Sequence, residues 1–93
     1  MKSLRVMGLD ISLEVLDPDS TNLGEWNADT STLRLSAFLP PTRRAEIMWH
    51  EILHIISERL DLDLSEQLVQ RIAAAQYAVL RENPELLPFL TQT

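Results

Sequence analysis

The chain has 93 residues, no cysteine and a formal net charge of −6, which allows one small core but excludes a disulfide framework and a thiolate metal site. Its eight Lys and Arg residues form no basic stripe, which argues against binding to nucleic acid. No apolar run reaches membrane-spanning length and the first residues contain no secretory h-region, so we expect a single domain, residues 1–93, in the cytoplasm and away from membranes.

Alternating apolar and polar residues in the first third of the chain predict β-strands. Residues 4–6 and 9–15 alternate with period two, and the alternation moves from even to odd positions across Gly8. A glycine with positive φ at this point indicates a tight hairpin turn. After the turn-rich segment 17–22, residues 25–37 contain a second, weaker alternation around a turn. We therefore expect two β-hairpins.

A long amphipathic helix is predicted after Pro40-Pro41, because proline cannot donate to a strand ladder but suits the first turn of a helix. We expect this helix to span residues 42–60. Its apolar side chains fall on one broad arc, which contains Met48, Trp49, Ile52, Leu53, Ile55, Ile56 and Leu60. His50 and His54 lie outside the arc, so one face of the helix would serve the core and another is free for chemistry.

Two further helices are predicted in the last third of the chain. Residues 64–81 carry an apolar stripe and alanines that allow close packing on the preceding helix. Asn83-Pro84 predicts the N-cap and first residue of a short C-terminal helix. The fold class is therefore α+β, with a small antiparallel sheet of hairpins packed against two main helices and a short C-terminal helix.

The only two histidines of the chain lie in one motif, His50-Glu51-Ile52-Leu53-His54. Residues at i and i+4 share a face of a helix, so both imidazoles are able to reach one metal ion. This HExxH spacing is the signature of zinc-dependent hydrolases. The alternative is a pair of surface histidines without a ligand. We favour metal binding, with Zn²⁺ as the expected cofactor, because both histidines and the intervening glutamate are present together.

Glu51 has a well-defined use beside a bound metal ion. Zinc lowers the pKa of a coordinated water, and a nearby carboxylate takes the proton as that water attacks a carbonyl carbon. The same carboxylate then hands the proton to the leaving amine. We expect Glu51 to be this general base, and the alternative is an ordinary carboxylate on the helix surface.

A third metal ligand has to be Asp or Glu, because the chain has no other histidine and no cysteine. We prefer Glu66, since a second helix approaches the metal from the side. Glu58 extends the line of the two histidines by another helical turn, and Asp63 lies in the connection, so both stay open. A capping box with Asp63 as N-cap and Glu66 reaching back would explain these two residues without a metal.

The sequence around the motif resembles a known family. Residues 48–56 (MWHEILHII) and 66–73 (EQLVQRIA) are similar to the ImmA/IrrE-type zinc metallopeptidases and to small HExxH proteins of phages and prophages. Glu66, Val69, Ile72 and Ala73 match the family's second-helix pattern. The resemblance implies a zincin-like domain with Glu66 as a zinc ligand, located in the cytoplasm of a bacterial host cell if the chain is phage-encoded.

Two features distinguish the chain from larger members of that family. Val69-Gln70 stands where they carry Ala-Asn, and the regions by which they take up a protein substrate are missing. A domain of this size also leaves little room for a substrate cleft. The first expectation is a metallopeptidase that cleaves an amide bond in a peptide or protein. The second is a non-catalytic regulatory or interaction module that keeps the fold or a structural zinc and binds a host or phage protein.

Overall fold

A computed structural model describes residues 1–92, and Thr93, the last residue of the predicted domain, lies outside the described residues. Within this range the α+β class is confirmed, with a four-stranded sheet, two main helices and a short C-terminal helix. The elements in chain order are β1 (Ser3–Val6), β2 (Leu9–Val15), β3 (Gly24–Asn27), β4 (Thr32–Leu35), α1 (Pro41–Leu60), α2 (Glu66–Glu82) and α3 (Leu86–Thr91).

The first predicted hairpin joins β1 to β2 through a two-residue turn. Val6 pairs with Leu9, and the two residues between them both have positive φ, 49° at Met7 and 85° at Gly8. Two successive positive φ angles define the turn type whose twist matches that of antiparallel strands. Glycine adopts this conformation without steric cost. Because the turn contains two residues, Val6 pairs with Leu9, and the apolar positions change from even to odd numbers between the two strands.

The second predicted hairpin, β3 with β4, joins the first through a parallel pairing of β2 with β4. The sheet is therefore mixed, with the order β1-β2-β4-β3, rather than built from antiparallel pairs alone. β4 is a central strand, and its Leu33 is fully buried. β3 carries the partly exposed Glu25 and lies at the edge, where charged side chains are tolerated.

Helix α1 covers one face of this sheet. Ile55 of α1 is fully buried together with Ile11 and Leu33 of the strands. Partly buried side chains complete this cluster, and they are Leu4, Leu9, Leu13, Trp26, Leu35, Met48, Ile52 and Ile56. The predicted apolar arc of the helix thus serves the core, except that Leu60 at its end is half exposed. This packing leaves the histidine face of α1 for other contacts.

Helix α2 packs on α1 through a second apolar cluster. Leu53 of α1 is buried against Val69 and Ala73 of α2, and Trp49 and Leu64 pack around them. The small side chain of Ala73 allows the helices to approach closely, as the sequence predicts. The first turn of α2 is thereby placed beside the middle of α1.

The predicted start of the C-terminal helix at Asn83-Pro84 is wrong. Asn83 ends α2 instead, and both its backbone N–H and its side-chain amide donate to the carbonyl oxygen of Val79. Free backbone carbonyls at the end of a helix need such donors. The last helix, α3, begins only at Leu86, after a turn that contains Pro84.

Candidate metal centre

The side chains of His50, His54 and Glu66 meet on the surface between α1 and α2. One carboxylate oxygen of Glu66 lies 2.5 Å from Nε2 of His50, and the other lies 2.8 Å from Nε2 of His54. The two Nε2 atoms are 3.2 Å apart. Three groups of the type that bind metal ions therefore converge on one point.

Regular helix geometry positions the two imidazoles, because residues four apart on α1 lie one above the other. Their ring centroids are 4.9 Å apart, and the rings meet edge to face. Glu66 is brought to them by the start of α2. Ser65 is the N-cap of this helix, and its side-chain oxygen accepts the N–H of Leu68, so Glu66 becomes the first helical residue.

The other two candidates for the third ligand line the cleft beside His54 but do not join the group formed by His50, His54 and Glu66. Glu58 accepts a hydrogen bond of 3.0 Å from the indole N–H of Trp26, which directs its carboxylate toward β3. Asp63 lies in the α1–α2 connection with φ of 53°. The capping-box alternative is wrong, because Ser65 and not Asp63 caps the helix. The structure thus brings Glu66, rather than Asp63 or Glu58, to the two imidazoles.

The donor set fits a divalent cation such as zinc. Two imidazole nitrogens and one carboxylate oxygen form a common protein ligand set for catalytic zinc. In a tetrahedral site with bonds of about 2.0–2.1 Å, neighbouring ligand atoms lie about 3.3 Å apart. The Nε2–Nε2 distance of 3.2 Å is close to this value. The Glu66 oxygens lie slightly nearer, but this side chain is 68% exposed, so it is free to move back by a fraction of an ångström.

The side chain of Glu51 is buried rather than exposed to solvent. The residue is only 8% exposed, and β3 passes close to it, since a Cβ placed on Gly24 would lie 3.5 Å from Cγ of Glu51. Burial raises the pKa of the Glu51 carboxyl above its usual range, while His50 and His54 act to lower the pKa. The charges of Glu66 and Glu25 add to the increase in pKa. A carboxyl that titrates closer to neutral pH suits proton transfer.

A shallow cleft of about 370 Å³ adjoins the site. It is lined by His54, Ser57, Glu58, Asp61, Asp63 and Leu64. Three of these residues are acidic, so the surface beside His54 carries negative charge.

Tyr77 lies far from the candidate metal centre, because it follows Glu66 by eleven residues and is therefore about 16 Å farther along α2. It is half buried, and the guanidinium of Arg81 lies over its ring.

Two contacts near the site were not predicted from the sequence. The hydrogen bond from Trp26 to Glu58 joins residues 32 positions apart, so no local sequence pattern predicts it. Ser57 is buried although it lies on the histidine side of α1, and its oxygen accepts the backbone N–H of Leu64. The one signal in the sequence was a serine on the histidine face of an amphipathic helix.

Comparison with known proteins assigns no family to this chain: no family model matches it, and no curated protein or solved structure matches it significantly. The resemblance to the ImmA/IrrE-type metallopeptidases therefore stays a prediction.

Within residues 1–92, the helices are too short or too polar to cross a membrane.

Replacing Glu51 by glutamine should stabilise the metal-free protein at neutral pH. Because the folded-state pKa of Glu51 is raised, its carboxyl favours folding only while it is protonated, and this contribution is lost as the pH rises through the folded-state pKa. Glutamine cannot ionise, so the melting temperature of Glu51→Gln should exceed that of the wild type at pH 7, in the presence of a chelator.

The difference should shrink as the pH falls toward the unfolded-state value of about 4.5. Glu82→Gln, at an exposed position at the end of α2, is the control and should change stability by less than about 0.5 kcal/mol. Equal melting temperatures of Glu51→Gln and wild type across this pH range would contradict the buried position of Glu51.

Proposed function

We propose that this protein is a zinc-dependent, metallopeptidase-like hydrolase. The observation that carries the proposal is the Glu66 carboxylate, which contacts both Nε2 atoms of the HExxH motif. Sequence spacing alone accounts for the two histidines, but a carboxylate delivered to them by another helix is an independent feature. Its presence makes a set of three protein ligands, which is the number that leaves a position open in a catalytic zinc site.

The expected chemistry is hydrolysis of an amide bond. A bound zinc ion would supply Lewis acidity, polarising the substrate carbonyl and making water a stronger nucleophile. His50, His54 and Glu66 would hold the ion. Glu51 would accept the proton of the attacking water and deliver it to the leaving nitrogen, a role for which its raised pKa is suited.

The substrate class that fits this site best is a peptide or protein segment. The Glu66 side chain is exposed and the adjoining cleft is shallow, so an extended chain has access to the ligands from solvent. The resemblance to small phage and prophage HExxH proteins supports the same proposal and favours the cytoplasm of a bacterial cell as the location.

A second candidate function is that of a non-catalytic interaction module. Large apolar side chains on α2 and α3 are exposed, among them Leu68, Val79 and Phe89, of which Phe89 is 73% exposed. Exposed apolar groups of this size favour contact with another protein. In this case zinc would serve stability, or the fold alone would be used.

Removing Glu66 should weaken zinc binding much more than removing Glu58. Loss of a hydrogen-bonding partner of a zinc ligand typically costs 10–100-fold in affinity, so we expect loss of a direct ligand in Glu66→Ala to cost at least about 100-fold. Competition with a chromogenic chelator at pH 7 would measure the dissociation constants.

Glu58→Ala is the matched control, because Glu58 is also an exposed helical carboxylate but contacts Trp26 instead. This variant should bind zinc as the wild type does. A large loss of affinity in Glu58→Ala with none in Glu66→Ala would reverse the proposed ligand assignment.

Glu51→Gln should separate the two candidate functions. Glutamine preserves the shape of the side chain but cannot accept the proton, so peptide hydrolysis should fall by about 10²–10⁴-fold, the usual contribution of a general base. Zinc content, measured by atomic emission on the same samples, should stay at one ion per chain. Hydrolysis of a peptide library, read by mass spectrometry, would supply the activity measurement.

If Glu51→Gln keeps both its zinc and the full biological effect of the wild type, the catalytic proposal is wrong and the interaction module is favoured. Glu82→Gln serves again as a control and should hydrolyse peptides at the wild-type rate.

A further inference from the structure

We infer that Ser57 is a positioning residue of the candidate metal centre. Its buried hydroxyl anchors the residues that precede α2, so that the Glu66 carboxylate meets both imidazoles. This inference rests on the proposed metal centre and adds to it the residue that determines where the third ligand lies.

Ser57 lies on the same face of α1 as the two histidines, three residues after His54 and seven after His50. It is 7% exposed, whereas its neighbours Glu58 and Arg59 are exposed. Among residues 1–92, Ser57 is one of three buried polar or charged residues, with Thr32 and Glu51. Burial of a polar side chain costs free energy unless the side chain is hydrogen-bonded, so the hydrogen-bond partner of Ser57 indicates what this residue holds in place.

Both oxygen atoms of Ser57 hold the connection between the two helices. The side-chain oxygen accepts the backbone N–H of Leu64 at 3.0 Å, and the main-chain oxygen accepts the N–H of Leu62 at 2.9 Å. The side chain of Leu64 also packs into the cluster of Leu53 and Val69. The chain is therefore fixed by a polar and an apolar contact at a point two residues before Glu66.

The Glu66 side chain has little other support. It is 68% exposed, so packing of the side chain itself does not determine its direction. Its position follows from the backbone of the first turn of α2, where the Ser65 side chain caps the helix. A displacement of Leu64 would pass to Ser65 and then to Glu66, because only one peptide unit separates each pair.

The connection does not hold its conformation by local preference alone. Asp61 and Asp63 both have φ of 53°, in the left-handed region. Side chains other than glycine adopt this region at a cost in free energy, and such residues persist where surrounding contacts determine the backbone. The hydrogen bond from Leu64 to Ser57 is a contact of this kind, because it joins the connection to the helix that carries the histidines.

Replacing Ser57 by alanine tests this role. Alanine removes the acceptor, so the N–H of Leu64 loses its partner and the start of α2 is released. We expect zinc affinity, measured by chelator competition at 25 °C, to fall by about 10-fold or more, the usual effect of removing a residue that orients a ligand. Circular dichroism would establish that the variant is folded. Ser57→Thr keeps an acceptor oxygen and should bind zinc nearly as the wild type does.

Ile55→Val is the control for a purely structural effect. Ile55 is fully buried on the sheet side of the same helix, so the loss of a methyl group should lower the melting temperature without changing zinc affinity. If Ser57→Ala loses stability and yet binds zinc with wild-type affinity, Ser57 is a structural residue only and the inference is wrong.

A double-mutant cycle tests whether Ser57 acts through Glu66. In the Glu66→Ala background, Ser57→Ala should have no further effect on zinc affinity. An undiminished effect in that background would overturn the inference. Failure of the wild-type protein to bind zinc would instead remove the proposed metal centre, whereas zinc binding that depends on Glu66 but not on Ser57 would remove this inference alone.

Discussion

The packing of α2 on α1 is the contact on which the candidate metal centre depends. Leu53, Val69 and Ala73 hold the two helices together, and this contact brings the first turn of α2 beside the histidines of α1. Without it the HExxH motif would present two ligands to solvent, which is too few for a catalytic zinc site. The apolar cluster therefore matters for the proposed chemistry as well as for stability, because it brings the carboxylate of Glu66 to the histidines from a separate helix.

The same region contains groups that oppose folding. Glu51 is a carboxyl in a largely buried position with a raised pKa, and two aspartates of the connection adopt left-handed backbone angles. Unfavourable features of this kind tend to be concentrated at functional sites, where the surrounding structure maintains them. Here the close approach of β3 at Gly24 maintains the burial of Glu51, and Ser57 maintains the connection. Both supporting contacts lie outside the HExxH motif.

Local patterns were sufficient for most of the elements, though not for the start of α3, and for part of the site. The change of alternation at Gly8 locates the first hairpin, and the i and i+4 spacing places His50 next to His54, because each depends on neighbours in sequence. The parallel pairing of β2 with β4 joins residues 20 positions apart, such as Ser12 and Thr32, so no local pattern predicts it. Ser65 rather than Asp63 caps α2, and the neighbouring Leu64 is held on α1 by a hydrogen bond to Ser57 and by apolar packing, which are contacts between separate elements that the local capping pattern does not reveal.

The claim that His50, His54 and Glu66 together hold a metal ion is tested most directly by a crystal structure of the zinc-loaded protein, with anomalous diffraction collected at the zinc edge. We expect one strong anomalous peak within about 2.0–2.2 Å of both Nε2 atoms and of a Glu66 carboxylate oxygen. A peak bound instead by Glu58 or Asp63, or two imidazoles turned away from each other with no peak between them, would contradict it.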